Sequence, residues 1–67
     1  MNKREIGKRL RQLRGEIPRE TIAKAVGVTT TAIAMYENGN RIPRDPTKIA
    51  LAQFFGKSIE SIFFDIS

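Results

Sequence analysis

Cysteine and histidine are both absent from this 67-residue chain. Their absence removes disulfides, thiol chemistry, the usual zinc ligand sets and histidine acid–base catalysis, which argues strongly against an enzyme. No metal or cofactor site can be assembled from what remains. No apolar run approaches the roughly 20 residues of a membrane span. The basic start Met1-Asn2-Lys3-Arg4 is not followed by the uninterrupted apolar stretch of a signal peptide. Nor does any segment alternate with period two for long enough to make a strand, and there is no internal repeat, linker or low-complexity tract. These absences lead to the expectation of one cytoplasmic, all-helical, non-enzymatic domain over residues 1–67. At this length a single core leaves folding only marginally favourable, so oligomerisation is a natural support.

What the sequence does have is positive charge. Twelve Lys and Arg against seven Asp and Glu give a net charge of +5, and the pI is near 10.3. Such a balance favours an anionic partner such as nucleic acid. Asn2 and Glu5 have capping-box spacing, and Ile6, Leu10 and Leu13 recur at helical intervals up to Gly15, so a first helix is expected over about residues 3–14. Its outer stripe, Arg4, Lys8 and Arg11, reads as a solvated charged face over a core stripe. Pro18 suits a helix start, and Ile22, Ala23 and Val26 supply an apolar face that ends at Gly27, predicting a second helix at about 19–26. Thr29 can cap a third helix, about 30–38, with Ile33 and Tyr36 inward and Gly39 as a left-handed stop. The pair Asp45-Pro46 reads as cap and first residue of a fourth helix running through Phe55 to Gly56. Ser58 then caps a last short helix bearing Ile59, Ile62 and Phe63.

The second and third helices are separated by a short glycine-containing turn, which makes them a helix-turn-helix candidate. Spacing strengthens the case. Counting from Arg19, Ala23 is small enough for the helices to cross closely, Gly27 can take the positive φ that redirects the chain, and Ile33 and Tyr36 bury the next helix. A plain helical hairpin satisfies some of these positions by chance; all four in register is more specific.

On these residues the sequence resembles the Cro and phage-repressor type of helix-turn-helix regulators, the Xre family. The resemblance is carried by IGKRLRQLRG in the first helix, ETIAKAVGVTTTAIAMYENG across the second and third, IP in the loop, then LAQFFGKS and IESIFF. It implies a compact all-α, five-helix, lambda-repressor-like DNA-binding domain whose helix-turn-helix is formed by helices two and three. It further implies a sequence-specific transcriptional regulator, expected to be a repressor, of bacterial, phage or mobile-element origin. Partners implied are a double-stranded DNA operator and a second copy of the chain, with no membrane and an unidentified protein antagonist left open. The chain looks like a stand-alone member without a sensory domain. Two features depart from the family pattern: Arg19 replaces the usual glutamine at the start of helix two, and the turn from Gly15 to Pro18 is shorter.

The residues themselves suggest how DNA would be met. With Ile33 and Tyr36 inward, Thr30, Thr31, Ala34, Met35 and Asn38 point outward. This face is small and uncharged, so it can approach base edges in a major groove about 12 Å wide, where threonine hydroxyls and apolar methyl groups both find partners. Thr29 serves as a cap, a phosphate contact or both. Arg19, Asn40, Arg41 and Arg44 surround the helix as candidate phosphate contacts. The resemblance also pairs Arg14 with Glu37 as a structural ion pair joining helices one and three. A glutamate in the last turn of a helix opposes the helix dipole and so needs such a partner.

The C-terminal run carries Ile62, Phe63, Phe64 and Ile66, more apolar surface than a short final helix can bury, with Phe54 nearby. A homodimer interface on these residues is expected; the alternative is that the two phenylalanines fold back under their own chain. The competing function is a protein-interaction module, an antitoxin or anti-repressor, that keeps the fold but has no need of a basic rim.

Overall fold

The computed structural model describes residues 2–64, and among these every regular element is helical. Helix α1, Lys3–Arg14, begins where Asn2 stops the chain in an extended conformation and its side chain accepts hydrogen bonds from the N–H groups of Arg4 and Glu5 at 3.0 and 3.2 Å. Two of the four orphan donors at that end are thereby satisfied. Helix α2, Arg19–Val26, follows Pro18 and closes at Gly27. The φ of Gly27 is +78°, and the N–H groups of Gly27 and Val28 both return to the carbonyl of Ala23. This is a glycine-closed helix end, and it turns the chain within a few residues.

Helix α3, Thr30–Glu37, starts under the hydroxyl of Thr29, which accepts from the N–H of Ala32 at 3.0 Å. It ends at Glu37, with Asn38 as the half-turn beyond and Gly39 at positive φ. Helix α4 spans Asp45–Phe55. Its cap is Arg44, so the expectation of Asp45 as cap is off by one residue. The reason lies in proline, whose fixed φ and missing N–H suit more than one position in the first turn. Asp45 turns its carboxylate toward Lys48 Nζ, 3.5 Å away, and leaves the backbone uncapped.

The chain closes with a π-helical turn, Glu60–Phe64, entered through Ser58, whose hydroxyl accepts from the N–H of Ser61. Arg9 on α1 donates to the carbonyls of Ser61 and Ile62 at 3.0 and 3.3 Å, tying this turn to the body.

Apolar faces at helical spacing meet in one core of Ile6, Leu10, Ile22, Ala23, Ile33, Tyr36, Leu51, Ala52, Ile62 and Phe63. The subunit contact expected of Ile62 and Phe63 is corrected here, because Phe63 is 0% and Ile62 2% exposed within their own chain. A chain this small needs all the apolar area it can bury, and the wide closing turn lets two successive residues face inward. Phe54 is half-buried and meets Phe55 edge to face. Phe64 points outward, 54% exposed. Ile66 lies outside the described residues.

Helix α1 packs on α3, and α2 packs on both α3 and α4. The α1–α3 crossing is unusually close at Gly7. A Cβ there would collide with the backbone carbonyl oxygens of Glu37 and Tyr36. Only glycine permits this approach, and it fixes the far end of α3 against α1.

Candidate nucleic-acid interface

Helix α3 is buried along Ile33, Tyr36 and Glu37 and open on the other side. Thr30, Thr31 and Asn38 are exposed, while Ala34 and Met35 are half-buried beside them. The exposed surface of the helix is thus made of hydroxyl, methyl and amide groups, with no charge on it. Thr29 is exposed at its head, its hydroxyl engaged as the cap.

Around this helix the cations fall into two groups. Asn40, Arg41 and Arg44 are exposed in the segment after α3. Neither arginine has an ion-pair partner among the described residues. Their guanidinium groups are therefore available to an external anion. Arg19, by contrast, is engaged inside the molecule. Its guanidinium meets Glu37 Oε1 through Nε at 3.1 Å and Nη2 at 3.0 Å.

Glu37 is the centre of the second group, its side chain only 1% exposed. Arg14 grips it with two hydrogen bonds, Nε to Oε2 at 2.6 Å and Nη2 to Oε1 at 3.1 Å, and donates a third to the carbonyl of Ile17. Such fork-shaped pairing is the strong form of the charge-assisted bond. Arg11 approaches the same carboxylate, with Nε 3.9 Å from Oε1. No buried side-chain nitrogen or oxygen among the described residues is left without a hydrogen-bond partner. The network thus meets the condition under which a buried charge is tolerated. It also answers the problem of an anion at a helix C-terminus, since three cations neutralise what the dipole disfavours. Three guanidinium groups around one carboxylate leave the neighbourhood of the α3 C-terminus positive.

Three features of this site escape the sequence reading. Arg19 is a partner of Glu37, Arg11 reaches the end of α3, and Gly7 sets the helix crossing. The first two link residues far apart in the chain, and no local pattern reports them. Gly7 has a faint signal, an isolated glycine inside an amphipathic helix, which is costly unless packing requires it.

A family model described as Helix-turn-helix (HTH_3) matches residues 8–62. No curated protein sequence matches the chain. Among solved structures, the chain is similar to the P22 c2 repressor in complex with a synthetic operator, at 26% identity and a TM-score of 0.85 over 88% of this chain and 92% of that one. It is similar to the restriction-modification controller protein C.AhdI from Aeromonas hydrophila, at 26% identity and a TM-score of 0.81 over 90% and 94% of the two chains. A third likeness is to the SOS-response transcriptional repressor LexA from Eubacterium rectale, at 25% identity and a TM-score of 0.88 over 98% of this chain and 72% of that one. Glu37 and the turn at Gly27 both lie inside the matched segment, and α2 and α3 form its helix-turn-helix. The chain belongs to the helix-turn-helix family of the Cro and phage-repressor type, a family of DNA-binding regulators and not of enzymes.

Proposed function

We propose that this protein is a homodimeric transcriptional repressor of bacterial, phage or mobile-element origin, acting in the cytoplasm, that reads the major groove of a double-stranded operator with α3. The observation that carries this reading is the contrast around that helix: a small, uncharged exposed face bordered by Arg41 and Arg44, which have no ion-pair partner among the described residues. Base edges are read by hydroxyl and methyl groups at Thr30, Thr31, Ala34 and Met35, with the Asn38 amide beside them, while Thr29, Asn40, Arg41 and Arg44 hold the phosphates. Arg19 contributes mainly by holding Glu37, with the outer side of its guanidinium left for a phosphate. A likeness to an operator-bound repressor supports the choice. An antitoxin or anti-repressor working only through protein contacts would have no use for these two arginines.

One helix-turn-helix reads too few base pairs to define a site, and two copies on half-sites about 34 Å apart resolve this. The surface best suited to join them is the shallow depression formed by Asp45, Lys48, Ile49, Ile59 and Phe64. Ile49 and Phe64 are its large exposed apolar groups, 47% and 54% exposed. Asp45, paired with the largely buried Lys48 at 3.5 Å, borders the same patch, and a two-fold contact would set this patch against its own copy. Phe54 stands as a peripheral contributor.

Selection of DNA from a random pool, followed by salt titration of the selected site, tests the reading. A repressor of this kind enriches a two-fold-related sequence and loses affinity steeply with salt. No enrichment, or retention indifferent to salt, would count against it. Sedimentation of wild-type protein and Phe64→Ser tests the assembly: the wild type sediments as a dimer at micromolar concentration and the variant as a monomer. A wild type that stays monomeric both free and on DNA rules the dimer out.

A further inference from the structure

Helix α1 crosses behind α3, yet one of its side chains reaches the surface that α3 exposes. Arg11 Nη2 donates to the side-chain oxygen of Asn38 at 2.8 Å, across 27 residues of sequence. The same guanidinium is held from the other side, its Nε 3.9 Å from the buried carboxylate of Glu37. Glu37 in turn is fixed by Arg14 and Arg19. Arg11 is thus anchored at one end and bonded to Asn38 at the other. The contact sits in a cleft between the two helices, lined also by Arg4 and by the Lys8–Glu5 ion pair.

The chemistry of the two groups decides the orientation of the amide. A guanidinium has only donors, so the group facing it must be the amide oxygen and never the nitrogen. The oxygen, with one of its two lone pairs committed, is thereby held toward Arg11, and the NH2 group donates to no partner among the described residues. An asparagine that reads adenine needs both halves of its amide, oxygen accepting from N6 and nitrogen donating to N7. With its oxygen held by Arg11, the Asn38 amide is set to meet a ligand through its N–H groups.

We propose that Arg11 is a positioning residue for DNA recognition, which turns the Asn38 amide oxygen toward α1 so that the amide meets the nucleic acid with its N–H donors. The inference rests on the reading of α3 as the DNA-binding helix. Asn38 then donates to an acceptor oxygen or nitrogen, either on a phosphate or on a guanine or thymine edge, and the bidentate approach to adenine is disfavoured because Arg11 holds the oxygen that would accept from N6. The stripe on α1 that reads in sequence as a solvated face has, in Arg11, one member that acts on the recognition surface through a second residue.

A double-mutant cycle on DNA affinity tests this, using the wild-type full chain, Arg11→Ala, Asn38→Ala and the double variant against the selected operator and its single-base changes. Asn38→Ala is expected to weaken wild-type binding about fivefold, the worth of one hydrogen bond. It is expected to cost clearly less in the Arg11→Ala background, where the amide is no longer held. Additive losses would mean that Arg11 and Asn38 act separately, and the proposal falls. Arg11→Lys, which keeps a donor beside the amide oxygen, is expected to recover part of the loss. Asn38→Asp keeps the bond to Arg11 but has no donor to offer, so it is expected to bind worse than Asn38→Ala; binding equal to wild type overturns the proposal. The operator panel separates the acceptors: uniform loss marks a phosphate, and loss of a guanine or thymine preference at one position marks a base edge. A lost adenine preference contradicts an orientation with the N–H groups toward the nucleic acid. Failure of the underlying reading has a different signature, since the wild type itself then shows no salt-dependent binding and Arg41→Ala changes nothing.

Discussion

The two ends of α3 are built on opposite principles. Its C-terminal end is locked, with Glu37 in the grip of Arg14 and Arg19 and the α3 backbone pressed against Gly7 of α1. Its N-terminal end is held locally by a single capping bond from Thr29, and the residues that follow, Thr30 and Thr31, are exposed. One end fixes where the helix sits; the other is left free to meet something else. The difference teaches how so small a chain combines a rigid placement with a chemically plain surface. Charge is spent behind the helix and beside it, and the exposed face carries none.

Breaking the locked end should have the largest effect. Gly7→Ala must push α1 and α3 apart against two backbone carbonyls, and a loss of about 3 kcal/mol of stability is expected, at the upper end of overpacking costs. Urea denaturation of wild type and variant measures it; an unchanged midpoint would mean that the close crossing is not needed. Glu37→Ala comes next, at about 2–3 kcal/mol, because it leaves two partly exposed arginines without their common anion. Arg14→Ala should cost less, since Arg19 still faces the carboxylate. Removing Arg14 and Glu37 together should cost less than the sum of the single losses, which a thermal-melt cycle detects. Additivity would show that the pair does not interact.

At the other end the effects shrink. Thr29→Ala loses one cap and should cost about 1 kcal/mol. Its measured loss should be smaller than that of Glu37→Ala in the same denaturation experiment. The reverse order would invert the distinction between locked and free ends.

Much of the scaffold is legible in the sequence because helix ends announce themselves locally. Asn2, Thr29, Gly27 and Gly39 each act within a few residues of themselves, and the ends of α1, α2 and α3 fall where those signals stand. Proline is the ambiguous signal, which is why the start of α4 moves by one residue. The apolar faces of Ile33 and Tyr36 are legible for the same reason, as periodicity is a short-range property. What is hidden is long-range or depends on packing. Nothing in the spacing of Arg19 and Glu37 says that they meet. Phe63 and Phe64 are neighbours of the same type, and only the path of the closing turn sends one to the core and the other to the surface. Gly7 looks like a weakness in α1 until α3 is laid across it. The exposed face of α3 is legible from inward-facing Ile33 and Tyr36, whereas the hold of Arg11 on Asn38 requires the fold.

The free face of α3 is where the functional account stands most exposed, and Thr31→Ala examines it with the least disturbance elsewhere. Its stability should stay within about 0.5 kcal/mol of wild type, as for an exposed residue with no structural partner. Affinity for the selected operator and for each single-base change of it should then be measured beside Arg41→Ala. Thr31→Ala is expected to cost about 1 kcal/mol at the cognate site and to relax preference at one base pair. Arg41→Ala should weaken all sequences alike and lower the salt dependence. A uniform loss from Thr31→Ala, with base preferences intact, would contradict the assignment of α3 as the reading helix.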